Sequence, residues 1–164
     1  MKILLILRHA KSSWDDASMS DHERPLNDRG LKTAPLMGKL LNDNGIVPDA
    51  IFSSTARRAQ HTAELAAKAA GFKNKITTVK RFYPGDPIDY IETLQKSDDT
   101  LKSIMVVGHN PGLEELTYTL TKERHELPTA TLAHLELPID HWKDLSSKTK
   151  AKLIRINRPK EIFT

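Results

Sequence analysis

The chain has 164 residues, no cysteine, and 25 basic against 21 acidic side chains, a net charge of +4. Without cysteine there are no disulfides, no cysteine-ligated zinc and no cysteine nucleophile. No stretch approaches the roughly 20 apolar residues of a membrane span, and a modest positive excess with only 5% aromatics falls short of a nucleic-acid-binding surface.

The expectation is a single domain over residues 1–164, cytoplasmic and monomeric, with no membrane and no nucleic-acid partner. The opening MKILLIL has the flavour of a signal peptide, but its apolar run is too short and stops at Arg8. Much of the positive excess lies near the C-terminus, in Lys143, Lys148, Lys150, Lys152, Arg155, Arg158 and Lys160. It reads as a solvated strand face and tail.

Ile3–Leu7 is a continuous apolar run, the pattern of a strand buried on both faces. Lys11 to Arg29 is a long polar stretch too irregular to pack as an element, and loops of that length are functional or disordered. Asn27 or Asp28 caps a helix to about Asn42, with Leu31, Leu36, Leu40 and Leu41 as apolar positions and Asn44-Gly45 as its end. Asp49–Ser53 reads as a short strand. Ser54 or Thr55 then starts a helix to about Ala70. Its Ala59, Ala63, Ala66 and Ala70 make a small-residue face, and Gly71 closes it.

Ile76–Lys80 is expected to be another strand. Asp86-Pro87 supplies an N-cap and a first-turn proline for a helix to about Lys96. Ser103–Val107 is the second strongly apolar strand. It meets Gly108-His109-Asn110-Pro111-Gly112, where Asn110 can cap and Pro111 can begin the next helix. Thr131–Leu137 alternates like a strand, and a short helix near His141–Leu145 follows. Lys150–Asn157 alternates again, with Leu153 and either Ile154 or Ile156 facing inward. Strands alternating with helices predict an α/β fold, a three-layer αβα sandwich around a mostly parallel central sheet. In such sheets ligands bind outside the carboxyl ends of the strands.

Three strand ends carry cations or imidazoles: Arg8-His9, Arg57-Arg58 after the second strand, and Gly108-His109. Arginines in a first helical turn oppose the macrodipole, an arrangement that makes sense if an anion lies between them. The usual phosphate machineries are missing. There is no Walker loop, no G-x-G-x-x-G, no Asp-x-Asp pair, no H-E-x-x-H and no tight His/Asp cluster for a metal. What remains as a nucleophile is histidine.

Leu7-Arg8-His9-Ala10, the run from Ser54 to Ala63 (STARRAQHTA) and Gly108-His109-Asn110-Pro111 together resemble the motifs of the histidine phosphatase superfamily, in order and approximate spacing. Arg24-Pro25-Leu26, Gly30 and Tyr83-Pro84-Gly85-Asp86 resemble its SixA-type phosphohistidine phosphatases. The resemblance implies a phosphoglycerate mutase-like fold and a phosphatase with no cofactor and no metal. It also implies that His9 attacks phosphorus, while Arg8, Arg58 and His109 hold the phosphoryl oxygens. Lys11, Ser12 and Asn110 are candidates for further substrate contacts.

Two departures stand out. Ala10 replaces the usual glycine. Both Arg57 and Arg58 are present, but the Arg-Ala-x-x-Thr spacing selects Arg58, and Arg57 points about 100° away around a helix. Asp86 is the best-placed candidate for a proton donor, although capping explains it fully; Asp15, Asp16 and Asp21 are the others. A weak acid favours phosphohistidine in a protein, or another activated phosphoryl group, because imidazole leaves more easily than an alkoxide. The alternatives are a small-molecule phosphomonoesterase of the same superfamily and a non-catalytic phosphoryl-binding module.

Overall fold

The apolar run at the N-terminus forms β1 (Lys2–Arg8), and it is apolar throughout because both of its faces are covered. Leu5 and Leu7 enter one core, while Leu4 and Ile6 enter the other. The remaining elements of the computed structural model, which describes residues 1–163, follow in order. They are α1 (Asp28–Asp43), β2 (Ala50–Ser54), α2 (Arg57–Ala70), β3 (Thr77–Val79), α3 (Pro87–Gln95), β4 (Ser103–Gly108), α4 (Gly112–Thr121), β5 (Leu132–Leu137), β6 (Lys152–Asn157) and α5 (Pro159–Ile162).

The sheet order is β3-β2-β4-β1-β5-β6. The first four strands are mutually parallel, whereas β5 runs antiparallel to both β1 and β6. The carboxyl ends of β2, β4 and β1 therefore lie side by side. Helices α1 and α2 cover one face of the sheet, and α3 and α4 cover the other, which is the expected three-layer arrangement.

The predicted alanine face of α2 is buried at Ala59, Ala63, Ala66 and Ala70. It meets α1 closely enough that a Cβ on Gly38 would fall inside the van der Waals shell of the Ala66 carbonyl. This close approach corrects the expected apolar face of α1. Leu31 and Leu36 are exposed, and the buried positions are Gly30, Ala34, Met37, Gly38 and Leu41. Leu41 is buried as expected and Leu40 packs partly against the core, while Gly38 lets the two helices touch. Asn27 caps α1 as expected, accepting from Gly30 N at 2.9 Å.

Other differences have local causes. Only Thr77–Val79 pairs with β2, and Lys80–Phe82 turns into a single 3₁₀ turn that buries Phe82. Ser54 stays in β2, paired with Val79, so α2 starts at Arg57 rather than at Ser54 or Thr55. The long polar stretch is ordered by a bridge between Ser12 and Leu26 and by a 3₁₀ turn over Asp21–Glu23. In β6 a bulge opposite His134 and Leu135 inserts Ile154, which is exposed, so that Leu153 and Ile156 both reach the core.

Candidate active site

Parallel pairing of β1 with β4 sets Arg8 beside Gly108, so His9 and His109 leave the sheet together. Their ring centroids are 5.2 Å apart. The chain after β1 is held on both sides: His9 N donates to Gly108 O at 3.1 Å, and Ala130 N donates to His9 O at 3.0 Å. Both histidines are almost fully buried, as is Arg58 in the first turn of α2. These residues line an open cleft of about 390 Å³ together with Arg8, Lys11, Ser12, Trp14, Asp21, Arg24, Asn110 and Thr129.

The hydrogen-bond partner of His9 fixes the tautomer of that ring. His9 Nδ1 lies 2.7 Å from the Ala10 carbonyl, which can only accept. In the neutral ring the proton therefore sits on Nδ1 and the lone pair on Nε2. Burial pushes the His9 pKa down to about 4. The charges of Arg58, Arg8 and Arg24 add to that, and the Ala10 bond opposes it. His109 Nε2 lies 2.7 Å from Ser54 Oγ, a hydroxyl that can donate or accept there and that accepts from Ala56 N. Burial, then His9 and Arg58, push its pKa down to about 3. His109 Nδ1 is buried with no partner among the described residues.

Ala10 is fully buried, and its N–H donates to Thr62 Oγ1 at 2.9 Å. Thr62 Oγ1 in turn donates to Arg58 O at 2.7 Å. The conformation of the first motif is thus tied to the helix that carries Arg58. Arg8 Nη1 donates to Leu127 O at 3.1 Å, and the same carbonyl accepts from Asn110 Nδ2 at 2.8 Å. Asn110 therefore braces the loop before β5 and does not cap α4, whose N-cap position is Pro111.

The hub of the cleft is Asp21. Its carboxylate accepts from Arg24 at 2.9 Å, from Arg58 at 3.0 Å and from Tyr83 Oη at 2.7 Å, and its backbone carbonyl accepts from Arg58 Nη1 at 2.6 Å. The Tyr83 hydrogen bond, then those of Arg24 and Arg58, hold this carboxyl far below the usual carboxylate range. Arg24 also donates to Ser12 Oγ and to Ser13 O, and its guanidinium stacks 3.3 Å from the centre of the Trp14 ring.

Arg8, His9, Arg58 and His109 thus come together, with Lys11, Ser12 and Asn110 around them. Asp86 does not join them. It is exposed at the start of α3, where its N–H donates to Asp89 Oδ2 at 2.8 Å. Asp15 and Asp16 are exposed and do not line the cleft. Arg24, Tyr83, Ser54 and Thr62 carry no role in the sequence reading, although each lies inside a motif quoted there.

The family model described as Histidine phosphatase superfamily (branch 1) matches residues 4–83. A protein of Mycobacterium tuberculosis is 33% identical over 150 residues, covering 85% of this chain and 91% of its own length. The structure assigned as the phosphohistidine phosphatase SixA of Agrobacterium tumefaciens superposes with a TM-score of 0.82 at 27% identity, over 96% of this chain and 98% of that one. A protein histidine phosphatase SixA complexed with tungstate has the same fold, with a TM-score of 0.82 at 21% identity over 97% and 98% of the two chains.

Proposed function

We propose that this chain, which belongs to the histidine phosphatase superfamily, hydrolyses phosphoryl groups through His9 and acts on phosphohistidine in proteins or on another activated phosphoryl group. The carrying observation is the state of His9. Its Nδ1 proton is committed to the Ala10 carbonyl, and burial with three guanidiniums keeps the ring neutral. Nε2 then attacks phosphorus in line as the bond to the leaving group breaks. Arg8, Arg58 and His109 hold the equatorial oxygens, where charge develops. Water next attacks the phosphorus on His9 and releases phosphate. The arginines meet the charge, so the chemistry calls for no metal ion.

The choice of substrate rests on the acid. Among the described residues lining the cleft, Asp21 is the only carboxyl, and it is held ionised by Tyr83, Arg24 and Arg58. An ionised carboxylate has no proton to give an alkoxide. Imidazole leaving from phosphorus needs that help least, which favours a P–N bond over a sugar phosphate. When a phosphoryl group enters, Arg58 exchanges a contact with Asp21 for one with the substrate.

Single-turnover hydrolysis of a labelled phosphohistidine protein and of an alkyl phosphomonoester, on wild type and His9→Ala, tests both parts. The expected result is fast turnover of phosphohistidine, slow turnover of the monoester, and loss of both in the variant. Full activity of His9→Ala would remove the nucleophile. Equal rates on the two substrates would remove the leaving-group argument.

A further inference from the structure

The basic C-terminal stretch is not absorbed by the chemistry above. Two of its members, Arg158 and Lys160, line a second cleft of about 310 Å³ together with Lys11 and Arg29. This cleft adjoins the first, because Lys11 and Thr129 line both. Backbone contacts create the adjacency. Asn27 N donates to Lys11 O at 3.0 Å, and Gly30 packs so tightly on the Lys11 carbonyl that no Cβ would fit there. The first turn of α1, with Arg29, is thereby pressed against the loop that follows β1 and His9. On the other side, Leu132 pairs with Asn157, which brings the end of β6 and Arg158 beside the loop before β5.

The charge of this second cleft is one-sided. Among the described residues its only acid is Glu161, 3.5 Å from Arg158. Lys11, Arg29 and Lys160 are exposed, and among the described residues none forms an ion pair. The cations come from three separate segments of the chain, the loop after β1, the first turn of α1 and the C-terminal turn, and Pro128, Ala130 and Pro159 line the cleft with them. A bound phosphate calls for donors converging on a point. Exposed cations supplied by three chain segments, with prolines among the lining, suit carboxylates spaced along a polypeptide.

We infer that this cleft is a docking groove for an acidic polypeptide segment flanking the phosphorylated residue of a protein substrate. The inference rests on the phosphatase reading for what lies in the first cleft, and on the four cations alone for what lies in the second. The groove raises the rate of encounter with acidic partners and holds the phosphoryl group towards His9. It favours a protein over a small phosphorylated molecule as the natural substrate.

The test uses two phosphohistidine peptides that are identical except that one carries a run of glutamates beside the phosphohistidine and the other carries glutamines. Wild type and Arg29→Gln/Lys160→Gln are compared by kcat/KM. Binding of the unphosphorylated peptides is followed separately by fluorescence anisotropy. Wild type should favour the glutamate peptide by about five- to tenfold at low salt, the size expected of a few screened charge contacts. The preference should shrink as salt is added. The double variant should lose most of it while turning over the glutamine peptide at the wild-type rate.

Equal handling of both peptides by wild type, or a preference that survives in the variant, would overturn the inference. So would a variant-sensitive preference seen only for a small bisphosphorylated sugar. Binding separates this proposal from the phosphatase reading. Glutamate-dependent, variant-sensitive binding without turnover would sink only the latter, and turnover without such binding only the former.

Discussion

Keeping two histidines neutral inside the cleft should make the protein acid-sensitive in a window where carboxylates are silent. His9 falls from 6.5 to about 4 and His109 from 6.5 to about 3 on folding. Between these values the unfolded chain binds protons that the folded chain refuses, so stability rises with pH. A pH of about 5 lies about 1.5 units below the unfolded imidazole value, so the unfolded rings are protonated while the folded rings remain neutral; each contributes about 2 kcal/mol against the fold, and the pair about 4 kcal/mol. The loss levels off only as pH falls through the folded values. Asp21 does not mask it, because its depressed pKa contributes stability that disappears only below the unfolded carboxylate value of about 4.

Urea unfolding at several pH values, on wild type and on His9→Asn/His109→Gln, isolates the effect. Asparagine can keep a donor near Ala10 O, and glutamine one near Ser54. Wild type should lose about 4 kcal/mol more than the variant between about pH 8 and pH 5. Parallel stability curves would mean that the rings protonate normally, and the argument for a neutral nucleophile would go with them.

Three further outcomes test the packing and the hub. Gly38→Ala should destabilise the fold by about 2 kcal/mol or more, since its Cβ meets backbone and not a flexible side chain; an unchanged urea midpoint would show that α1 and α2 can part freely. Thr62→Val should cost about 1–3 kcal/mol by leaving the buried Ala10 N–H without an acceptor, and Thr62→Ser should restore most of it in the same unfolding assay. Asp21→Asn should free Arg24 and Arg58 and tighten binding of inorganic phosphate by up to about fivefold, the scale of one screened charge contact. Weaker binding would instead make the carboxylate the element that positions the two guanidiniums.

The sheet was readable because its two central strands are buried on both faces and so appear as unbroken apolar runs, Ile3–Leu7 and Ser103–Val107. What escaped was contact-dependent. Leu31 and Leu36 look like a core face by composition alone. The true face uses Gly38, where α2 approaches too closely for any side chain, and Gly30, where the Lys11 carbonyl does. The bulge at Ile154 is likewise set by the partner strand and leaves no mark in β6 itself.

The site divides along the same line. Arg8, His9, Arg58 and His109 stand at strand ends or in the first turn after one, where a rule of topology predicts a ligand, and the structure gathers them. Asp21 and Tyr83 lie 62 positions apart in loops, and no spacing links them. Their pairing is the more informative result for the chemistry. Asp86, picked by position, satisfies a helix end and does not line the cleft, whereas Asp21, one of five acids in an unreadable loop, binds both Arg24 and Arg58. A carboxylate so placed is the counter-charge of two buried guanidiniums, which would otherwise face each other unneutralised. On the proposed reading, a dianionic phosphoryl group should displace it from Arg58 more readily than a carboxylate or a monoanion does, which competition binding to the wild-type protein would check.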